Sequence, residues 1–238
     1  MELITPYARI LPPVNINSGS TWPGTNIITS FTSDDGRFLL KRIEYCARIS
    51  HRSEDAPADT ERFLRSVIIN HGDWSVVEHC SISVEFLVDR GITHELVRHR
   101  IFSFTQESTR FVNYLKRVSA RFILPPFQEE DRLGASGVWH NTINACLEGY
   151  TQLIKLGCSP QIARSVLPNA LSSKIVTTGN LRQWRHFFIM RTTKETHPQM
   201  REVTVPLLAE VQRVIPILFE DIETGASQRD NLRLDMRY

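Results

Sequence analysis

Hydrophobic residues recur at helical spacing along much of the chain. After an acidic start at Asp34, the apolar positions Leu39, Ile43 and Ala47 return every three or four residues, which predicts a first helix. The same pattern returns in both halves of the chain. Further helices are predicted at 59–71, 92–101, 138–156, 160–167, 180–191 and from Pro198 onward.

Alternation of apolar and polar residues marks the clearest strand. In CSISVEFLV (residues 80–88), Ile82 and Phe86 lie on the apolar face, and the serines lie on the other face. This pattern is typical of a strand with one buried face. Residues 104–114 and 170–178 also carry the residue types of extended chain. Together these elements predict an α+β fold that is mostly helical around a small sheet.

Composition divides the chain into three parts. Residues 1–32 are rich in proline, serine, asparagine and threonine, which predicts an extended N-terminal lead-in. The periodic elements fill residues 33–222, where we expect one folded domain. Residues 223–238 are polar and are expected to form a C-terminal tail.

Positive charge is local rather than global. The 238 residues carry a formal net charge of only +2, so the molecule as a whole is not a polycation built to coat nucleic acid. Residues 90–121, however, hold seven basic side chains against two acidic ones. This segment suits an anionic small molecule. The alternative is a non-catalytic nucleotide- or RNA-binding protein that uses the 90–121 basic patch.

Membrane and export signals are not evident in the sequence. No apolar run approaches the roughly 20 residues that cross a bilayer, and the N-terminus lacks the features of a secretory signal. The four cysteines are scattered without a CxxC pair, so we expect reduced, packed thiols. A cytoplasmic protein, not bound to membrane or nucleic acid, is therefore expected.

Two common kinds of site are disfavoured by residue spacing. HELVRH resembles a zinc-protease helix, but His94 and His99 are five residues apart, which places them about 140° apart around a helix. We therefore expect no metal site. The chain also has neither a GxGxxG sequence nor a phosphate loop that ends in GK[ST]. A bound nucleotide would have to be held by side chains, a role that suits arginine.

The densest group of candidate ligand-binding residues is RHRIFSFTQESTR at 98–110. If Arg98, His99 and Arg100 are helical, they point about 100° apart and spread their donors over most of the helix surface. A solvated basic turn is the plainer interpretation of such a triplet. Ser108 is interpreted as a ligand contact rather than a nucleophile, because no adjacent base is evident.

This segment and four others resemble one enzyme family, the flavin-dependent thymidylate synthases. RHR, seven further residues and Ser108 match the family signature. The resemblance extends over roughly residues 35–220. The other matching segments are CARIS ending at Ser50, HGDWSVVEH at 71–79, IARSVLP at 162–168 and NLRQWRHFFIMR at 180–191.

The resemblance implies a fold and a reaction. The expected fold is a single domain with a largely antiparallel central sheet. The expected reaction converts dUMP to dTMP, with 5,10-methylenetetrahydrofolate as carbon donor and NADPH as reductant through FAD. The family also implies a homotetramer with active sites at subunit interfaces, and no metal.

The resemblance also implies site residues, position by position. It implies catalytic roles for Arg191, which would stabilise charge on the pyrimidine, and for Ser108, which would orient it. The expected FAD contacts are Ser50, Ser75, Glu78, Arg98, His99, Arg100, Ile101, Asn180, Arg182, His186, Met190 and His197. The expected dUMP contacts are Glu95, Arg98, Gln106, Ser108, Thr109, Arg110, Arg164 and Arg191.

Four positions differ from the commoner family pattern. Thr105 replaces Asn, Gln106 replaces Glu, Glu95 replaces Gln, and Asp73 replaces His. The Gln106 change removes a charge near the expected substrate, whereas Glu95 adds one. A flavoprotein with an altered substrate is therefore a further hypothesis.

Overall fold

The computed structural model describes residues 1–11, 31–55, 59–116, 119–127 and 132–226. Its α-helices are α1 (Ser33–Ile49), α2 (Thr60–Leu64), α3 (Arg90–Leu96), α4 (Arg132–Lys155), α5 (Pro160–Ala163), α6 (Leu181–Arg191), α7 (Pro198–Val214) and α8 (Pro216–Phe219). Its strands are β1 (Glu2–Leu3), β2 (Tyr7–Leu11), β3 (Ser81–Asp89), β4 (Ser103–Gln106), β5 (Arg121–Phe122) and β6 (Ser172–Asn180).

The sheet matches the expected fold class. Four antiparallel strands lie in the order β2-β3-β6-β4, and β1 pairs with β5 in a separate parallel ladder. The strands predicted at 80–88 and 170–178 are present as β3 and β6, each within two residues of the expected bounds. The α+β class, mostly helical with a small antiparallel sheet, is confirmed.

Two predictions around the RHR segment were wrong. The helix expected at 92–101 is α3, which begins at Arg90 because the Asp89 carboxylate caps it by accepting from the Ile92 N–H at 2.8 Å. It ends at Leu96, so Arg98, His99 and Arg100 lie in the following turn and not on a helix. The extended segment expected at 104–114 is limited to β4.

Two short helical segments have unusual hydrogen bonding. The helix predicted at 59–71 is an α-helical turn, α2, followed by a π-helical turn at Arg65–Asn70. Gly72 then adopts a φ of 79°, which favours glycine. A 3₁₀ helix at Trp74–His79 was not predicted. The middle of the N-terminal lead-in, residues 12–30, and nearly all of the tail, residues 227–238, lie outside the described residues.

The chain divides into two compact units. Unit 1 comprises Met1–Tyr7, Phe86–Arg100 and Phe104–Val176. Its core packs α4 and α5 against the segments around β5 and β6. The fully or nearly fully buried members of that core are Tyr114, Ala120, Phe122, Ile143, Tyr150, Ala163 and Leu171.

Unit 2 comprises Ala8–Glu85, Ile101–Ser103 and Thr177–Tyr238. Its core is built on α6, where Trp184, Phe187 and Ile189 are buried, as predicted for the apolar face of that helix. The indole N–H of Trp184 donates to the carbonyl of Ile82 at 3.1 Å, so the buried ring also satisfies its polar atom.

No helix in the described part of the chain combines the length and apolar character that a membrane span needs.

Candidate active-site residues

The expected site residues are distributed over both units. Unit 1 carries Glu95, Arg98, His99, Arg100, Gln106, Ser108, Thr109, Arg110 and Arg164. Unit 2 carries Ser50, Ser75, Glu78, Ile101, Asn180, Arg182, His186, Met190, Arg191 and His197. Unit 1 therefore holds most of the expected nucleotide contacts, and unit 2 holds most of the expected flavin contacts.

A turn at residues 107–110 presents the nucleotide candidates. The Glu107 N–H donates to the Lys174 carbonyl at 2.8 Å, and the amides of Phe111 and Val112 both donate to the Ser108 carbonyl. The Glu107 carboxylate also accepts from the buried Tyr114 hydroxyl at 3.3 Å. Burial, followed by the nearby carboxylate, raises the pKa of Tyr114 well above its ordinary value, so this hydroxyl remains a donor.

Ser108 has the geometry of a hydrogen-bonding residue. Its Oγ accepts from the Arg110 N–H at 3.3 Å, which leaves the hydroxyl proton to donate to a ligand. Among the described residues, no histidine or carboxylate hydrogen-bonds to this hydroxyl. The arrangement supports the prediction that Ser108 orients a ligand and does not act as a nucleophile.

Thr109 and Arg164 are brought together by the fold of unit 1. The Arg164 guanidinium donates through Nη1 to Thr109 Oγ1 at 3.1 Å, from a 3₁₀ turn that follows α5. Thr109 is buried, whereas Arg164 and Arg110 are exposed. Two permanent positive charges therefore lie on or beside the 107–110 turn, and guanidinium groups of this kind are suited to binding phosphate oxygens.

The side-chain amide nitrogen of Gln106 is already hydrogen-bonded within the protein. Its amide nitrogen donates to Thr93 Oγ1 at 2.9 Å and to Ser173 Oγ at 3.1 Å. Thr93 in turn donates its own proton to the Arg90 carbonyl, so its oxygen serves as the acceptor for Gln106. A substrate contact from Gln106 would therefore fall to its amide oxygen.

The apolar part of the RHR segment has two different environments. Phe102 is buried, and its ring lies 4.8 Å from the Trp184 ring, centroid to centroid. The ring also occupies the space where a side chain at Gly179 would sit. Ile101 is 77% exposed and is available for contact with a ligand or a partner.

One face of α6 carries polar and flexible side chains. Arg182, His186 and Met190 are four residues apart and are exposed or half-buried, whereas the opposite face is in the core. Asn180 starts the helix with a capping box: its side chain accepts from the Gln183 N–H at 2.9 Å, and its own N–H donates to the Gln183 side chain. A flavin contact from Asn180 would therefore use its amide nitrogen.

Other flavin candidates in unit 2 have partners of their own. Glu78 and Arg182 form an ion pair at 2.7 Å between side chains that are about half exposed. Ser50 donates to the Ala47 carbonyl at 3.0 Å and makes a second hydrogen bond with the His51 ring. His197 caps α7 by accepting from the Gln199 N–H at 3.3 Å.

Arg185 was missed by the sequence reasoning. Its guanidinium is 3% exposed, forms two hydrogen bonds of 2.6 Å with the Asp221 carboxylate and donates to the Leu218 carbonyl at 2.8 Å. It also lies 4.6 Å from the Trp74 ring centroid. A signal was present, because Arg185 shares the core face of α6 with Leu181 and Phe188.

Potential metal ligands are not clustered in the part of the chain that the structure describes. It contains no group of three or more histidine, cysteine, aspartate or glutamate side chains that could hold an ion.

Comparison with known proteins identifies the family. Residues 39–217 match the family model described as thymidylate synthase complementing protein. The chain belongs to this family. The family resemblance inferred from the sequence is confirmed, and so is the function predicted at this level, that of a flavin-dependent thymidylate synthase.

Named relatives and solved structures agree with this assignment. The chain is 34% identical over 212 residues to a protein named flavin-dependent thymidylate synthase from Mycobacterium tuberculosis (strain H37Rv), covering 81% of this chain and 82% of the relative. A relative of the same name from Mycobacterium sp. (strain KMS) is 34% identical over 205 residues, covering 76% of this chain and 79% of the relative.

The fold is shared with solved structures of a more distant protein. A crystal structure of the UMP/dUMP methylase PolB from Streptomyces cacaoi, bound with 5-Br dUMP, superposes with a TM-score of 0.71. The two chains are 21% identical, and the match covers 92% of this chain and 96% of that one. At this identity the similarity establishes the fold.

Proposed function

We propose that this family member catalyses the reductive methylation of dUMP at C5, with 5,10-methylenetetrahydrofolate as carbon donor, FAD as flavin and NADPH as reductant. Family membership over residues 39–217 supports the reaction type. The observation that carries the proposal furthest is the 107–110 turn of unit 1, where hydroxyl and guanidinium donors suited to a nucleotide lie on a well-anchored loop.

The residues of unit 2 fit a flavin dinucleotide by their chemistry. Arg182 and His186 supply exposed donors on one face of α6, Met190 supplies a flexible apolar side chain, and Ser50 and Ser75 supply exposed hydroxyls. We propose these residues, with the other expected contacts, as the flavin-binding set. When bound, the flavin supplies a hydride.

The proposed substrate role of each residue follows from its donors. Arg164 and Arg110 would bind the phosphate of dUMP, and the Ser108 hydroxyl would donate to the pyrimidine. Arg191 would lie against the ring and stabilise negative charge as the ring is activated. This stabilisation of the activated ring is electrostatic, because the Arg191 guanidinium keeps its positive charge throughout the reaction.

Cys80, which is more buried than the other three cysteines, is unsuited to act as a nucleophile. Burial raises the pKa of Cys80 to about 11, so this residue is a protonated thiol at neutral pH. The other three cysteines are half-buried. The proposed mechanism therefore activates the pyrimidine without covalent attack by Cys80.

We also propose a homotetramer in which subunits complete one another's sites. Phe38, Tyr45 and Ile49 lie at helical spacing on α1 and are 68%, 57% and 50% exposed. Such an apolar stripe supports burial against another copy. Light scattering on the purified protein would test the assembly. The cytoplasmic location expected from the sequence remains a prediction.

A titration of the flavin spectrum tests the proposed function. Purified protein supplied with FAD should bind the flavin, and dUMP should then perturb its absorbance. Ser108→Ala should weaken dUMP binding by about tenfold, the cost of one hydrogen bond. Ser159→Ala is the control, because the Ser159 hydroxyl is exposed and makes no side-chain capping bond. A folded protein that takes up no FAD would contradict the proposal.

A further inference from the structure

The C-terminal end of α6 is held by threonine hydroxyls. The last four carbonyls of a helix have no partner within it and must be satisfied elsewhere. Here the Phe188 carbonyl accepts from the Thr192 N–H at 3.1 Å and also from Thr192 Oγ1 at 2.8 Å, and the Met190 carbonyl accepts from Thr196 Oγ1 at 3.1 Å. Helix ends usually fray, so these bonds stabilise the turn in which Arg191 lies.

The carbonyl of Arg191 itself is bonded from another helix. Thr204 Oγ1 on α7 lies 2.7 Å from the Arg191 carbonyl oxygen and 2.9 Å from the Met200 carbonyl oxygen, so its single proton is shared between these two acceptors. The bond to Met200 is the ordinary one that a helical threonine makes four residues back. The shorter of the two contacts, the one to the Arg191 carbonyl, links α7 to the last residue of α6. Thr204 is fully buried, so water does not substitute for it.

We propose that Thr204 is a positioning residue that fixes the backbone of Arg191 and thereby the approach of its guanidinium to the substrate. This inference rests on the proposed function of Arg191. The side chain of a helix-terminal residue is aimed by its own backbone, and small misplacements of a catalytic group cost large factors in rate. Thr204 is suited to this task because its hydroxyl is buried and because it lies on a different helix, 13 residues after Arg191 in the chain.

Isosteric variants separate the hydroxyl from the packing of the side chain. Thr204→Val keeps the shape of the side chain but removes the donor, whereas Thr204→Ser keeps the donor. Thr151→Val is the matched control, because Thr151 on α4 makes only the ordinary bond to a carbonyl four residues back, Leu147, at 2.8 Å. Thr151 belongs to unit 1 and to neither expected ligand-binding set.

The first readout is independent of activity. Hydrogen–deuterium exchange in peptides that cover residues 188–193 should become faster in Thr204→Val, stay near wild type in Thr204→Ser, and be unchanged in Thr151→Val. Unchanged exchange in Thr204→Val would overturn the anchoring role.

The second readout is a double-mutant cycle on dUMP affinity, measured by calorimetry. Thr204→Val should weaken binding by about tenfold in the wild-type background and by less than about twofold in Arg191→Ala, because the two residues act through one contact. Equal losses in both backgrounds would show a general structural role and overturn the proposal. Absence of dUMP binding by the wild type would instead refute the proposed function, while the exchange data would still decide whether Thr204 anchors α6.

Discussion

Asp221 and Glu220 are neighbouring carboxylates of unit 2, and they test how strongly burial affects the contribution of an ion pair to the free energy of unfolding. Asp221 pairs with Arg185 and Glu220 pairs with Arg65, and each pair has an N–O distance of 2.6 Å. The Arg185 side chain is only 3% exposed, whereas Arg65 and Glu220 are 41% and 45% exposed. Asp221→Ala and Glu220→Ala therefore remove pairs that differ mainly in burial.

The expected cost of Asp221→Ala follows from what it leaves behind. Removing one partner of a buried pair costs about 3–5 kcal/mol. Asp221 is itself 36% exposed, and Arg185 keeps its bond to the Leu218 carbonyl and its contact with the Trp74 ring. We therefore expect a loss of about 2–3 kcal/mol in the free energy of unfolding. For a chain of this size that loss lowers Tm by about 4–12 °C.

Glu220→Ala should cost less than about 1 kcal/mol, because exposed ion pairs contribute little. Arg65 also keeps its second partner, Glu61, at 2.9 Å. Thermal unfolding followed by circular dichroism, with urea denaturation as a check, measures both variants under one set of conditions. Equal losses in the two variants would refute the reasoning that burial of Arg185 makes the Asp221 pair important.

Gly179, Cys80 and Tyr114 each give a testable expectation. Gly179→Ala should lower the free energy of unfolding by about 1–3 kcal/mol in urea denaturation, because its Cβ would overlap the Phe102 ring. Gly149→Ala on α4 is the control: its Cβ would make only an ordinary contact at 3.8 Å, so this variant should be as stable as the wild type or more stable. A larger loss of stability in Gly149→Ala than in Gly179→Ala would contradict this account. The raised pKa of Cys80, about 11, means that the folded state keeps this proton when an unfolded thiol, with a pKa of about 8.5, has lost it. The stabilising contribution of the Cys80 proton is therefore complete below about pH 8.5 and is lost as the pH rises towards 11. Cys80→Ala should reduce the fall in the free energy of unfolding at alkaline pH, measured by urea denaturation. An unchanged pH profile would show that another group is responsible. The pKa of Tyr114 is raised by burial, so Tyr114→Phe should leave the phenolate absorbance of the folded protein unchanged in an alkaline titration up to pH 11; a loss of one tyrosine equivalent would contradict the assigned environment.

Helix α6 shows what the sequence predicts well. Its cap, its bounds and its apolar face were all evident, because a capping residue followed by a strong 3.6-residue period depends on local sequence alone. The strands β3 and β6 were recognised for a similar reason, since alternation or a β-rich run bounded by turn residues is also local.

The turns of the site were harder to predict. Nothing in the sequence of residues 107–110 indicates that Lys174 and Tyr114 anchor them, because both contacts form only in the folded chain. The end of α3 was missed for a related reason, since Arg98 and Arg100 are good helix formers and the sequence after Leu96 has no breaker.

Buried polar residues of unit 2 were the least predictable from the sequence. Arg185 and Thr204 occupy positions on helices where sequence reasoning expects apolar or solvated side chains. Each is held by a partner from elsewhere in the chain, Arg185 by Asp221 and Thr204 by the Arg191 carbonyl. Long-range partners of this kind cannot be inferred from spacing.

The central claim, that this chain is a flavin-dependent enzyme acting on dUMP, is tested most directly by release of tritium from dUMP labelled at C5. Purified protein with FAD, NADPH and 5,10-methylenetetrahydrofolate should release tritium and form dTMP, and omission of any one of these three should stop dTMP formation. Arg191→Ala should reduce the rate by about a hundredfold or more while retaining the fold. A folded, FAD-loaded wild-type protein that releases no tritium would contradict the account.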